Sequence, residues 1–105
     1  AMEKRFSEMT PYEIKTEIAK LHEKARKAEQ LGIINEVYVL KRKIVMAEAY
    51  LLDPADFKKG ETYKIKDEPN ETFTIEYLKG RIAWGYKKDS DELSAYPISL
   101  LIKME

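Results

Sequence analysis

Residues 72–87 read Thr72-Phe73-Thr74-Ile75-Glu76-Tyr77-Leu78-Lys79-Gly80-Arg81-Ile82-Ala83-Trp84-Gly85-Tyr86-Lys87. Two alternating runs flank a lysine–glycine pair. Successive side chains of a strand point to opposite faces, so this alternation predicts two half-buried strands. Lys79-Gly80 reads as a two-residue hairpin turn. Pairing across it sets Tyr77 opposite Ile82, Ile75 opposite Trp84, and Phe73 opposite Tyr86. Those six side chains share one face, as cross-strand packing favours. The other face keeps Thr74, Glu76, Ala83 and Gly85.

Outward from this hairpin the same period persists. Thr62 to Lys66 alternates, with Tyr63 and Ile65 on one side. Ala95-Tyr96-Pro97-Ile98 and Leu100 to Met104 read as two further short strands, broken at the proline. An open sheet of five strands this short buries little and leaves two edges, which predicts closure into a small SH3-like barrel. Tyr63, Ile65, Ile75 and Trp84 are its expected interior.

Upstream the period is helical. Thr10-Pro11-Tyr12-Glu13 has a capping threonine, proline at the first helical position and glutamate three residues after the cap. Met9 and Ile14 occupy the positions of a hydrophobic staple. Ile14, Ile18, Leu21, Ala25 and Ala28 form one apolar stripe, and Gly32 supplies a left-handed stop. Asn35 then reads as the cap of a second helix reaching about Leu52, where Asp53-Pro54 stops it. Helices are expected near 11–31 and 35–52, joined by Ile33-Ile34-Asn35 as an antiparallel hairpin. The second helix is apolar nearly all round. Val37, Leu40, Ile44, Ala47 and Leu51 suit the first helix. Tyr38, Val45 and Leu52 are expected on the barrel. Val39, Met46 and Tyr50 are left as a candidate protein interface, unless Met2–Phe6 or Leu101–Met104 folds back over them.

The expected architecture is therefore α+β: an N-terminal antiparallel helical hairpin (residues 2–57) packed on a C-terminal five-stranded SH3-like β-barrel (residues 58–105), as one compact unit. Ala1 precedes a natural start at Met2 and reads as a leftover of an expression tag.

Composition narrows the function. The chain has 105 residues, 44% hydrophobic and 36% charged, with no cysteine. That mixture is too apolar for disorder, and the absent thiols remove disulfides, thiolate metal sites and thiol nucleophiles. No apolar run approaches the ~20 residues of a membrane-spanning helix, and no apolar leader is visible, so a cytoplasmic protein without membrane contact is expected. Lysine plus arginine and aspartate plus glutamate number 19 each, so no global field favours nucleic acid.

Catalytic groups are sparse. His22 is the one histidine, beside Glu23 and four residues before Arg26, with no serine or aspartate at helical contact distance. Ser7, Ser90, Ser94 and Ser99 sit in cap, turn or strand-edge settings without a base. Asp89-Ser90-Asp91-Glu92 is the densest carboxylate cluster, but it lacks calcium-loop spacing and reads as a solvated turn. Asn70-Glu71-Thr72 matches a glycosylation sequon, idle in a protein that is not secreted. No enzyme activity, metal or cofactor is expected. Lys20, Lys24 and Lys27 share a helical face, and Lys41, Arg42, Lys43, Lys58 and Lys59 are the candidate nucleic-acid contacts. Three consecutive helical residues diverge by ~200°, however, and Glu23 is placed to pair with Lys27.

The opening Met2-Glu3-Lys4-Arg5-Phe6-Ser7-Glu8-Met9-Thr10-Pro11-Tyr12-Glu13, the segment Glu23-Lys24-Ala25-Arg26-Lys27-Ala28-Glu29, the Ala83-Trp84-Gly85-Tyr86 strand and Pro97-Ile98-Ser99-Leu100-Leu101 together resemble the YfhH family of small bacterial proteins. The resemblance spans essentially the whole chain. It implies a helical hairpin on an SH3-like barrel, brings no catalytic residues, and carries a transcription-regulator label. The expected function is a non-enzymatic interaction module binding a protein partner or itself. The alternative is a nucleic-acid-associated regulator using the basic clusters of the hairpin.

Overall fold

A computed structural model describes residues 4–105. Ala1, Met2 and Glu3, and with them the expression-tag reading and the first two residues of the resemblance, lie outside the described residues. The chain forms two compact units, one ending at Leu51 and one beginning at Leu52.

The first unit is the helical hairpin, α1 (Pro11–Gln30) and α2 (Ile34–Ala49). The capping box forms as the sequence predicts. The Glu13 N–H donates to Thr10 Oγ1 at 3.2 Å, and the Thr10 N–H donates to Glu13 Oε1 at 3.0 Å. That backbone bond, with Lys4 beside it, holds the Glu13 carboxyl below its usual value. Gly32 takes φ 72°, and Ile33 N–H closes on Ala28 O at 3.0 Å. The stripe Leu21, Ala25 and Ala28 packs on Leu40 and Ile44, flanked by Ile18 and Val37.

Four expectations for the helices and the chain just after them change. Asn35 lies inside α2, whose cap is Ile33 with no side-chain bond, because the tight turn at Gly32 starts the helix early. The helix also ends at Ala49, and Asp53 instead caps the short turn Pro54–Asp56 by accepting from Ala55 N–H at 2.9 Å. Glu23 pairs with Arg26 one turn on, leaving Lys27 outside that pair. Tyr38 and Leu52, expected to be covered, are exposed.

The second unit is an antiparallel sheet of β1 (Thr62–Ile65), β2 (Glu68–Lys79), β3 (Ile82–Lys87), β4 (Ser94–Pro97) and β5 (Leu101–Lys103). Its order is β4-β3-β2-β1-β5, with β4 and β5 at the edges. The protein is thus α+β, but the sheet does not close into the expected barrel. Tyr63, Ile65, Phe73, Ile75 and Ala83 are buried on one face, Ile98 is buried in the short helical turn before β5, and Phe57 lies against Tyr63 at 5.6 Å between ring centroids. Burial raises the Tyr63 phenol, whose hydroxyl accepts from Lys58 N–H and donates to Glu61.

Trp84 is the main correction. The turn is Gly80-Arg81, not Lys79-Gly80, so Lys79 pairs with Ile82 and Tyr77 with Trp84. A bulge between Ile75 and Tyr77 then sets Ile75 opposite Gly85 and Thr74 opposite Tyr86. One extra residue reverses the facing of everything beyond it. Phe73 and Ile75 stay inside. Tyr77, Trp84 and Tyr86 turn to the other face, where Tyr77 is 44% exposed and stacks on Trp84 at 6.1 Å.

One polar tie holds β2, β3 and β4. Lys87 Nζ donates to Glu68 Oε1 at 2.8 Å, and Tyr96 Oη donates to Glu68 Oε2 at 3.1 Å. The Lys87 bond, aided by Tyr96, holds the Glu68 carboxyl below its ordinary 4.5 and raises the Lys87 ammonium. A depressed carboxyl stabilises the fold above its unfolded pKa and loses that contribution as pH falls through the folded one. Glu68→Gln should therefore flatten the loss of stability below about pH 4.5, read as urea midpoints along an acid series.

Candidate interaction groove

The side of the hairpin beside the packed stripe is concave. An open groove of ≈ 1080 Å³ runs between α1, α2 and the segment that precedes α1. Its floor follows from helix periodicity. Leu21 and Leu40 are buried edges of the helix–helix seam, and Met46 and Tyr50 continue along the adjacent flank of α2. The leading segment forms one end. Phe6–Glu8 is a single tight turn, closed by Met9 N–H on Phe6 O at 3.1 Å. It lays the Phe6 ring 6.0 Å from Tyr50, and Lys4 reaches Glu13 at 2.9 Å.

The rim is predominantly basic. Lys4, Arg5, Lys20, Lys24, Arg42 and Lys43 line the groove against Glu13 and Glu17 only. Residues 1–51 carry ten basic and eight acidic side chains, so the groove gathers most of the bases and few of the acids. Among the described residues, Lys4 is held in a salt bridge with Glu13, while Arg5, Lys20, Lys24, Arg42 and Lys43 form none. A concave surface with one sign of charge over a low-dielectric floor focuses its field outward.

The residues proposed from sequence divide. Met46 and Tyr50 are half-buried within the groove, and Phe6 covers Tyr50, so only part of that stripe is available. Val39 is 55% exposed and does not line the groove, although its neighbour Leu40 does. Arg42 and Lys43 reach the rim. Lys41 turns to the opposite flank, 3.6 Å from Glu29, beside a smaller hollow of ≈ 350 Å³. Lys58 and Lys59 belong to the second unit. The five candidate nucleic-acid contacts therefore do not form one surface within the hairpin. Lys20 and Lys24 were visible as a shared helical face, but Phe6 and Arg5 reach the groove through a tertiary contact with no local signal.

His22 is exposed on α1. The Asp89–Glu92 segment is a turn, as expected: Asp89 takes φ 65°, Ser90 N–H donates to Lys87 O, and Glu92 N–H donates to Ser90 Oγ. Among the described residues no group of three or more metal-ligating side chains forms, and no helix is long and apolar enough to cross a membrane.

These features define a small α+β protein with a basic, apolar-floored groove on a helical hairpin and a separate antiparallel sheet. Over residues 4–102 the chain matches the family described as "Protein of unknown function (DUF1811)". It is 59% identical over 105 residues to "Uncharacterized protein YfhH" of Bacillus subtilis (strain 168), covering 99% of this chain and 100% of that protein. The chain belongs to this YfhH family.

Proposed function

We propose that the protein is a non-enzymatic interaction module whose hairpin groove holds an apolar, acidic segment of a protein. One observation carries this reading: an open groove with an apolar floor and a rim of six basic and two acidic side chains. Methionine and tyrosine suit such a floor, one adaptable and the other amphipathic. Helix-in-groove recognition reads apolar anchors at i, i+3 or i+4, and i+7, with flanking charge setting partner choice. A synthetic helical peptide with leucine anchors and glutamate flanks is the probe. Saturable amide shifts at Lys20, Lys24, Arg42, Lys43 and Met46 are expected, and loss of binding when the glutamates become lysines. No shifts, or shifts confined to residues 62–103, would falsify the reading.

The regulator reading keeps one supporting observation, the convergence of Arg42 and Lys43 with Lys20 and Lys24 on the groove rim. Duplex DNA binding through this rim would weaken steeply with salt, because each neutralised phosphate releases counterions. A mobility shift at low salt that vanishes in Lys24→Glu/Arg42→Glu would favour it over peptide docking. For the sheet, the order β4-β3-β2-β1-β5 and the short helical turn Ile98–Leu100 before β5 support an SH3-like reading of the open form.

A further inference from the structure

The two units carry opposite charge. Residues 1–51 have ten basic and eight acidic side chains, and residues 52–105 have nine and eleven. Each excess is concentrated. On the hairpin it lies along the groove rim. On the sheet unit the densest acidic segment is the β3–β4 turn, where Asp89, Asp91 and Glu92 are all exposed. That turn also ends on an exposed apolar side chain, Leu93, at 42% of its accessible surface. An exposed acidic turn that ends on an exposed leucine therefore belongs to one unit, and a basic groove with an apolar floor to the other.

From this complementarity we propose that the groove of one copy takes the Asp89–Leu93 turn of a second copy. The inference rests on the groove reading above and names its occupant. Asp89, Asp91 and Glu92 supply the carboxylates that Lys20, Lys24, Arg42 and Lys43 face, and Leu93 enters over Leu21, Leu40 and Met46. The volume of ≈ 1080 Å³ is at the upper end of small-ligand sites, roomy enough for a short turn. The turn is well formed for docking. Ser90 Oγ accepts from Glu92 N–H at 3.1 Å, fixing the backbone between the two outer carboxylates. Two such contacts about a two-fold axis close a dimer, while an unreciprocated one propagates into longer assemblies.

The test is sedimentation equilibrium of the full chain from micromolar to millimolar concentration, at low and high salt. A mass above the monomer that rises with concentration and falls with salt is expected, because salt shortens the Debye length over which exposed charges attract. Asp91→Lys/Glu92→Lys should weaken self-association at least about tenfold, as should Lys20→Glu/Lys24→Glu. Mixing the two reversed proteins should restore a heteromeric assembly, since each then offers the other a matching turn and groove. All four substitutions are at exposed sites, and unchanged thermal midpoints check that folding is intact. A monomer at every concentration, or a mixture that stays monomeric, overturns the proposal. If the acidic peptide still binds the groove of such a monomer, the groove reading stands and only the occupant is wrong.

Discussion

Gly85→Ala should unfold much of the sheet unit at temperatures where the native protein is stable. Gly85 lies opposite Ile75, beside the bulge that separates Ile75 from Tyr77. A Cβ built there would overlap the carbonyl oxygen of Thr74, and it would lie 3.0 Å from the Thr74 carbonyl carbon and 3.1 Å from the Glu76 nitrogen. These are backbone atoms of the central strand, and no rotamer change can relieve the overlap. β2 is also pinned on its other side, where Gly60 N–H donates to Ile75 O at 2.8 Å and Ile75 N–H donates to Glu61 O at 3.1 Å. Relief therefore requires pulling β3 from β2. Overpacking of this kind costs about 3 kcal/mol, a large share of the total stability a unit of this size holds. A fall in midpoint of more than about 10 °C is expected for the strand transition, followed by amide signals of residues 62–103. Gly80→Ala is the control. It has open space and a φ of 59°, so it should cost only about 1 kcal/mol of backbone strain. A Gly85→Ala protein as stable as Gly80→Ala would mean that β2 and β3 do not approach as described.

The features read correctly from sequence are those whose cause is local. The capping box at Thr10 and Glu13 needs only four residues, and the α1 stripe needs only its own period, so both were legible. Alternation alone predicts Tyr63, Ile65 and Ile75 inside, and all three are buried. The bulge at Glu76 was not legible, because Ile75-Glu76-Tyr77 alternates as an unbroken strand does. Its position is set by pairing, through Gly85 on one side and Gly60 and Glu61 on the other. The start of α2 is not legible for a related reason: Asn35 is a good cap, but the hydrogen bonds closing on Ala28 and Glu29 around Gly32 leave no room for a longer connection. The groove was half legible. Lys20 and Lys24 share a face by spacing, and Met46 and Tyr50 were singled out as surplus apolar surface. Which of Lys41, Arg42 and Lys43 would join them depends on the seating of Leu40 and Ile44 against α1, a tertiary fact. The placing of Phe6 over Tyr50 is another, since nothing local distinguishes it from a cover by Leu101–Met104.

Phe73 and Trp84 make the sharpest measurable consequence of the bulge, because sequence alternation places both on the barrel interior and the structure separates them. Phe73 is fully buried, pairs with Tyr63 on β1, and meets the Tyr96 ring edge-on at 5.1 Å. Phe73→Ala would leave a cavity walled by strands that are hydrogen-bonded on both sides of β2 and cannot collapse into it. The expected cost is about 3–5 kcal/mol, enough to bring the sheet unit close to its unfolding threshold at room temperature. Trp84 is the larger side chain, and by volume alone its loss should cost more. On the outer face it is only half-buried, stacked on the exposed Tyr77. Trp84→Ala opens no enclosed cavity and forfeits mainly that ring pair and part of its buried surface, about 1–2 kcal/mol. Urea titrations followed by far-ultraviolet circular dichroism give the ordering directly, since the loss of Trp84 removes the fluorophore. A Trp84→Ala penalty equal to that of Phe73→Ala would return Trp84 to the interior and remove the bulge. The ordering Phe73 well above Trp84 follows only if one extra residue at Glu76 has turned Tyr77, Trp84 and Tyr86 to the opposite face.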